Sequence, residues 1–333
     1  MTAKSVEEIQ AVILQKIPKG RIVPEHTETA HFYRDTQTGN KFASVTTKSG
    51  ILDAPHLKKW AARLAVEYYT ANANSVTDIE KLKGSAILAH QDQFQEAGDI
   101  GTQGHEIIEE YMNQWLISKR KPQSMRKFLY EHRSQGRDTR LHAIARSAEM
   151  FFNDFFVEPI ATELLVASNR HGFAGTLDAL GMVGLVTKEG VPSPEQLNES
   201  GKCPHSLWLL SRSQLKYECI HCGMQVIKKF CLIDWKTSNS IDKVDYAMQV
   251  SAYYQALWEM TGLRPKEIII VRLDKNKAAY EIRRVVNRVA AFRSFKQLSK
   301  VYDWLSETGE KLEKFPPKKR TSLSSLPTTM QEV

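Results

Sequence analysis

Two short apolar runs, each carrying an aspartate, constrain this chain more than any other feature. Phe230-Cys231-Leu232-Ile233-Asp234-Trp235-Lys236-Thr237-Ser238 reads as a buried strand that ends in charge. Side chains alternate along a strand, so Asp234 and Lys236 share one face while Ile233 and Trp235 pack behind them. Gly172-Phe173-Ala174-Gly175-Thr176-Leu177-Asp178-Ala179-Leu180 is a second strand, whose glycines let another backbone come close. If the two strands are neighbours, Asp178 and Asp234 can share a divalent cation. An ammonium beside them can orient, or help deprotonate, an attacking water. The aspartates lie 234 − 178 = 56 residues apart, too far for a plain hairpin, so an insertion separates the strands.

Two helices flank these runs. Gly101-Thr102-Gln103-Gly104-His105 opens an amphipathic segment, with Thr102 as the expected N-cap, Ile107, Ile108 and Tyr111 apolar, and His105 on the same side as Gly101. Downstream, Tyr246 to Tyr254 has helical character and sets Gln249 and Tyr253 four apart on one face, where both can hydrogen-bond phosphate oxygens.

Taken in order, G-x-x-x-H, G-x-x-D, D-x-K and Q-x-x-x-Y resemble the RecB-type branch of the PD-(D/E)XK nuclease superfamily over residues 44 to 287. The likeness is nearest to phage-encoded exonucleases, the mitochondrial genome-maintenance exonuclease and CRISPR-associated RecB-like exonucleases. It implies an α/β fold with a restriction-endonuclease-like core, in which helices flank a mixed central sheet. It also implies that Asp178 and Asp234 are metal ligands, His105 a third ligand and Lys236 the catalytic lysine. Glu163 matches the acidic residue that precedes the second strand in such proteins, the backbone carbonyl of Trp235 would face the metal, and Gln249 and Tyr253 would support the site and contact DNA. An aspartate-only site suits Mg2+, and the imidazole shifts the expectation toward Mn2+. The H-E-x-x-H zinc-protease helix is excluded, because position 109 is Glu where a second His is needed.

The implied activity is metal-dependent hydrolysis of DNA by an exonuclease that prefers single strands, in replication, recombination or repair. A structure-specific endonuclease and a non-cleaving nucleic-acid-binding subunit are the alternatives. The charge agrees with an anionic partner: Lys and Arg exceed Asp and Glu by 46 − 38 = 8. Much of that excess is local, because Lys119, Arg120, Lys121, Arg126, Lys127, Arg133, Arg137, Arg140 and Arg146 face only Glu131 and Asp138. Phe128 and Tyr130 lie among them, a mixture suited to tracking a DNA backbone and stacking bases. The alternative is a solvated helical face with both rings turned inward. The chain shows no signal peptide, transit sequence or membrane span, so an intracellular setting is expected, in a bacterium or a phage-infected cell.

Cys203-Pro204-His205-Ser206 and Cys219-Ile220-His221-Cys222 are spaced like the two knuckles of a zinc ribbon, here with a Ser in the fourth cysteine's place. Structural Zn2+ would then be held by Cys203, Cys219 and Cys222, with His205 ahead of His221 as fourth ligand. A degenerate ribbon that folds without metal is the competing view. Sitting between the two aspartate strands, the ribbon is expected near the mouth of the site.

Three regions follow: an N-terminal hairpin and helical region over 1–100, a core over 101–310, and a basic, disordered tail over 311–333. The core includes the basic helical segment 119–146 and the cysteine-bearing insertion 184–228. Helices are expected over 5–17, 55–72, 78–97, 102–117 and 138–157, then strands over 162–168, 173–183, 267–273 and 278–285 and a last helix to 310.

Overall fold

The computed structural model describes residues 4–27, 31–52, 55–130, 138–188, 203, 208–210, 216–241 and 244–307. Helix α1 (Val6–Lys16) starts at a capping box between Ser5 and Glu8 and buries Ile9 and Ile13. Strands β1 (Ile22–Pro24), β2 (Phe32–Asp35) and β3 (Lys41–Ala43) form a small antiparallel sheet. Helices α2 (Val45–Ser49), α3 (Pro55–Asn72), α4 (Ile79–Ser118), α5 (Lys127–Tyr130) and α6 (Thr139–Asp154) follow. The rest alternates: β4 (Glu158–Ser168), β5 (Phe173–Lys188), β6 (Trp208–Leu210), β7 (Lys216–Cys219), β8 (Gln225–Lys236), α7 (Val244–Thr261), β9 (Glu267–Leu273), β10 (Tyr280–Arg284) and α8 (Arg288–Glu307).

The main sheet runs β10-β9-β8-β5-β4, with β7 beside the start of β8 and β6 beside β7. β8 and β9 are parallel and joined across α7, whereas the other neighbours are antiparallel, so the sheet is mixed. The alternation along β8 explains why both faces are covered. Phe230 and Leu232 enter a core with α1, α7 and α8, whereas Cys231, Ile233 and Trp235 enter another with α4, α5 and α6. The result is an α/β protein with helices on both faces of a mixed sheet. Among the described residues, no helix is long and apolar enough to cross a membrane.

Three expectations change. The helices expected over 78–97 and 102–117 are one helix of 40 residues, with Thr102 well inside it and Asp78 as the N-cap. Gly98, Gly101 and Gly104 weaken a helix by roughly 1 kcal/mol each relative to alanine. At two of them the missing Cβ allows close packing: a Cβ on Gly101 would stand 3.0 Å from Thr237 Oγ1, and one on Gly104 3.1 Å from Ile144 Cγ2. β1 and α2, three and five residues long, are additional to the expected helices and strands.

The third change concerns the cysteines. β5 and β8 are antiparallel, so the chain between them emerges at the start of β8, whereas Asp234 lies near its end. Nine residues separate Gln225 from Asp234, which at about 3.3 Å each is roughly 30 Å. The cysteine hairpin is thus far from the mouth of the site. It docks instead on the junction of α6 and β4, where Tyr217 stacks on Phe156 at 4.5 Å. His205, Arg133, Arg137 and the tail over 311–333 lie outside the described residues.

Candidate active site

The carboxylates form a row across three strands. Glu163 stands between the pairs Thr162–Ala179 and Leu164–Leu177, opposite Asp178. Asp178 in turn is one step beyond Ala179–Ile233, the last pair joining β5 to β8, and so stands opposite Asp234. Like charges on adjacent strands repel, and one cation offsets part of that repulsion. Lys236 Nζ lies 2.8 Å from Asp234 Oδ2. Glu163 has a left-handed backbone, φ 46°, which turns the chain locally in mid-strand. For a residue other than glycine such a conformation costs of order 1–3 kcal/mol, and strain of this kind concentrates at functional positions.

Where β5 and β8 part, the side chain of Asp178 takes over from the ladder. The Trp235 N–H donates to Asp178 Oδ2 at 2.7 Å. In a strand the N–H and C=O of one residue point to the same edge, so the Trp235 carbonyl also faces this fork. The Trp235 indole is buried on the opposite face, stacked on Phe152 at 5.8 Å. Lys236 Nζ sits 4.9 Å from the centre of the Tyr246 ring.

Helix α4 closes the fork from one side and α7 from the other. His105 Nδ1 lies 3.8 Å from Asp178 Oδ2, and its side chain is 30% exposed. Ligand atoms of His105, Glu163 and Asp178 all lie within 4.8 Å of one another. On α7, the Gln249 amide donates to the Tyr253 hydroxyl at 3.1 Å. Gly175 makes room for that ring: a Cβ there would stand 2.6 Å from Tyr253 Cε1.

Burial dominates the electrostatics. It pushes the Glu163 carboxyl up to about 8, helped by Asp178 and Glu109. It raises Asp234 to about 6 against the pull of Lys236. Asp178 is raised by burial, with Lys236 and the Trp235 N–H opposing. Burial lowers Lys236, but Asp234 and Asp178 outweigh it, so the ammonium titrates above its ordinary value. His105 falls to about 4 through burial and the nearby Lys236, against Asp234 and a hydrogen bond to the Trp235 backbone. That bond favours imidazolium, so its acceptor is the carbonyl. Neutral imidazole is the metal-binding form.

The donor set fits a divalent cation. Neither oxygen of the buried Asp234 carboxylate has a well-directed hydrogen bond among the described residues; Oδ2 has the Lys236 ion pair and Oδ1 is bare. His105, Glu163 and Asp178 would hold the ion, with the Trp235 carbonyl beside them, and the mixed imidazole and carboxylate set suits Mn2+ or Mg2+; Asp234, expected as a ligand, stands outside this convergent group with Oδ2 turned to Lys236. Glu109, one helical turn after His105, was missed as a site residue. Its carboxyl is raised by burial and adds to the charge felt by Glu163. The i, i+4 spacing from His105 was the signal that pointed to it.

The basic segment divides. Lys119, Arg120, Lys121, Arg126 and Lys127 are exposed. Arg140 is tied to Asp138 and Glu96, each at 2.8 Å. Phe128 is buried against Tyr111, so the inward-facing alternative holds for that ring. In the cysteine hairpin, Cys203, Cys219 and Cys222 converge within 4.8 Å, and Cys203 and Cys219 sulfurs are 3.7 Å apart. Tetrahedral zinc with Zn–S bonds near 2.3 Å sets its sulfurs about 3.8 Å apart, so the cluster fits that ion. No known protein family matches this chain, and no curated protein does.

Proposed function

We propose that the chain is a metal-dependent deoxyribonuclease of the RecB-type PD-(D/E)XK kind, acting as an exonuclease on single-stranded DNA with free ends. The observation that carries this reading is the carboxylate row Glu163, Asp178 and Asp234, with His105 beside it and Lys236 paired to its last member. When bound, a divalent cation supplies charge neutralisation at the scissile phosphate and makes water more acidic. Asp178 has a second task, because holding the Trp235 N–H keeps β5 and β8 open at the fork. Lys236, held protonated by the aspartates, donates a hydrogen bond to the attacking water or to a phosphate oxygen and stabilises charge as it develops. Gln249 and Tyr253 back the site from α7, and Lys119, Arg120, Lys121, Arg126 and Lys127 attract the DNA backbone electrostatically.

The cysteine cluster completes the reading as a structural zinc site, with His205 as fourth ligand. The setting is intracellular, in replication, recombination or repair, where replication or recombination proteins would be neighbours. The test is digestion of 5′- and 3′-labelled linear and circular DNA, single-stranded and duplex, with Mg2+, Mn2+ or chelator. Linear single strands should be degraded with metal, and neither in chelator nor by Asp234→Ala. Degradation that survives chelator or Asp234→Ala would sink the mechanism, and cutting of circles would make the enzyme an endonuclease.

A further inference from the structure

The edge strand β4 is bent by a bulge between Pro159 and Ala161 and again at Glu163, and α1 covers it only in part. Gln10 Nε2 donates to the Ile160 carbonyl at 3.2 Å. Beside that contact lies a cleft of about 440 Å³, walled by Ile13 and Leu14 of α1 and Leu116 of α4, with the exposed Lys19 and Lys119 at its rim. Glu163 lines this cleft and is also a member of the metal-ligating group, so the cleft adjoins that group at one shared residue.

We propose that this cleft seats the terminal nucleoside of the strand being cut. Its apolar walls suit a base and sugar, and its two rim lysines complement a phosphate. Its volume is at the low end of small-ligand pockets, about 300–1,000 Å³, enough for one nucleotide and too little for a duplex. A chain end seated there places the adjoining phosphodiester at the row of carboxylates, and an unbroken strand has no end to insert. End-dependence then originates in α1 and β4, away from the ligands themselves. The inference rests on the nuclease reading for its substrate, but the cleft is separately testable.

Thymidine 5′-monophosphate and 3′-monophosphate serve as probes, titrated calorimetrically into the full chain with Ca2+ present. One of them should bind the parent, and Leu116→Trp or Leu14→Trp should weaken it at least tenfold while thermal unfolding shows both variants folded. Leu14 is 72% exposed, so its variant tests the cleft even if Leu116→Trp fails to fold. Ile117→Ala, at a neighbouring residue 84% exposed and outside the cleft, should bind as the parent does. Digestion of linear single strands should release mononucleotides. Binding of neither probe, or equal binding by folded Leu14→Trp, overturns the proposal. If DNA is never hydrolysed but a monophosphate binds and Leu14→Trp abolishes that binding, the nuclease reading fails and the nucleotide site stands. If DNA is hydrolysed and the tryptophan variants cut at parental rates, the cleft assignment fails alone.

Discussion

Glu163→Gln is the most direct probe of the carboxylate row, because Gln keeps the shape of the side chain and removes only its charge. The Glu163 carboxyl is pushed up to about 8 from an ordinary 4.5. The sign follows from proton counting. Between those pH values the folded chain holds a proton on Glu163 that the unfolded chain has lost, so stability falls as pH rises through the window. At ~1.36 kcal/mol per pH unit, the 8 − 4.5 = 3.5 units set a ceiling of about 5 kcal/mol above pH 8. Water reaching the partly exposed crevice screens this to roughly 2–3 kcal/mol. Urea unfolding in chelator should therefore find Glu163→Gln more stable than the parent by that amount at pH 8, and equal to it near pH 4.5. Added Mn2+ should reverse the order, since a ligand that binds only the folded state stabilises it by RT ln(1 + [L]/Kd) and the parent binds it better. A variant no more stable than the parent at pH 8 in chelator, or a difference independent of pH, would refute the reasoning.

Other expectations concern neighbouring parts. Asp234→Ala strands the Lys236 ammonium and should cost about 3–5 kcal/mol in thermal or urea unfolding, whereas Asp234→Ala with Lys236→Met should regain most of the stability and none of the hydrolysis. Gly175→Ala drives a Cβ into the Tyr253 ring and should destabilise by about 1–3 kcal/mol, measured by urea unfolding. Replacing the exposed Arg120, Arg126 and Lys127 by alanine should reduce the slope of log affinity against log salt by about 2, from ~0.7 per single-strand phosphate contact. Metal analysis should find about one zinc per chain, lost in Cys219→Ser, while hydrolysis rates stay parental because the cluster is far from Asp234.

Much of the site was legible because strand alternation is a local property. Asp234 and Lys236 on one face, with Ile233 and Trp235 on the other, needed only the period of two. The equal register of Glu163, Asp178 and Asp234 was not legible, since it depends on which strands pair and on the bulge at Pro159 and Ala161. Nor was the left-handed Glu163, because nothing in Thr162-Glu163-Leu164 announces it. The break expected between residues 97 and 102 followed from reading Thr102 as an N-cap, whereas the helix runs through it and packs Gly101 and Gly104 against Thr237 and Ile144. The misplaced cysteine hairpin is more instructive. Once β5 and β8 are antiparallel neighbours, the order of Asp178, the cysteines and Asp234 along the chain already sends the insertion to the far end.

That separation makes the long β5–β8 hairpin an insulator. Its ladder joins Ala179–Ile233 at one end to Lys188–Gln225 at the other, and the register holds through everything between except one irregularity near Val186. Length changes between Lys188 and Lys216 therefore have the whole ladder between them and the carboxylates. A peptide tag or a whole domain grafted there would leave Asp178 facing Asp234. The chain thus has an attachment point around the cysteine cluster that can change length while the carboxylate end stays in step.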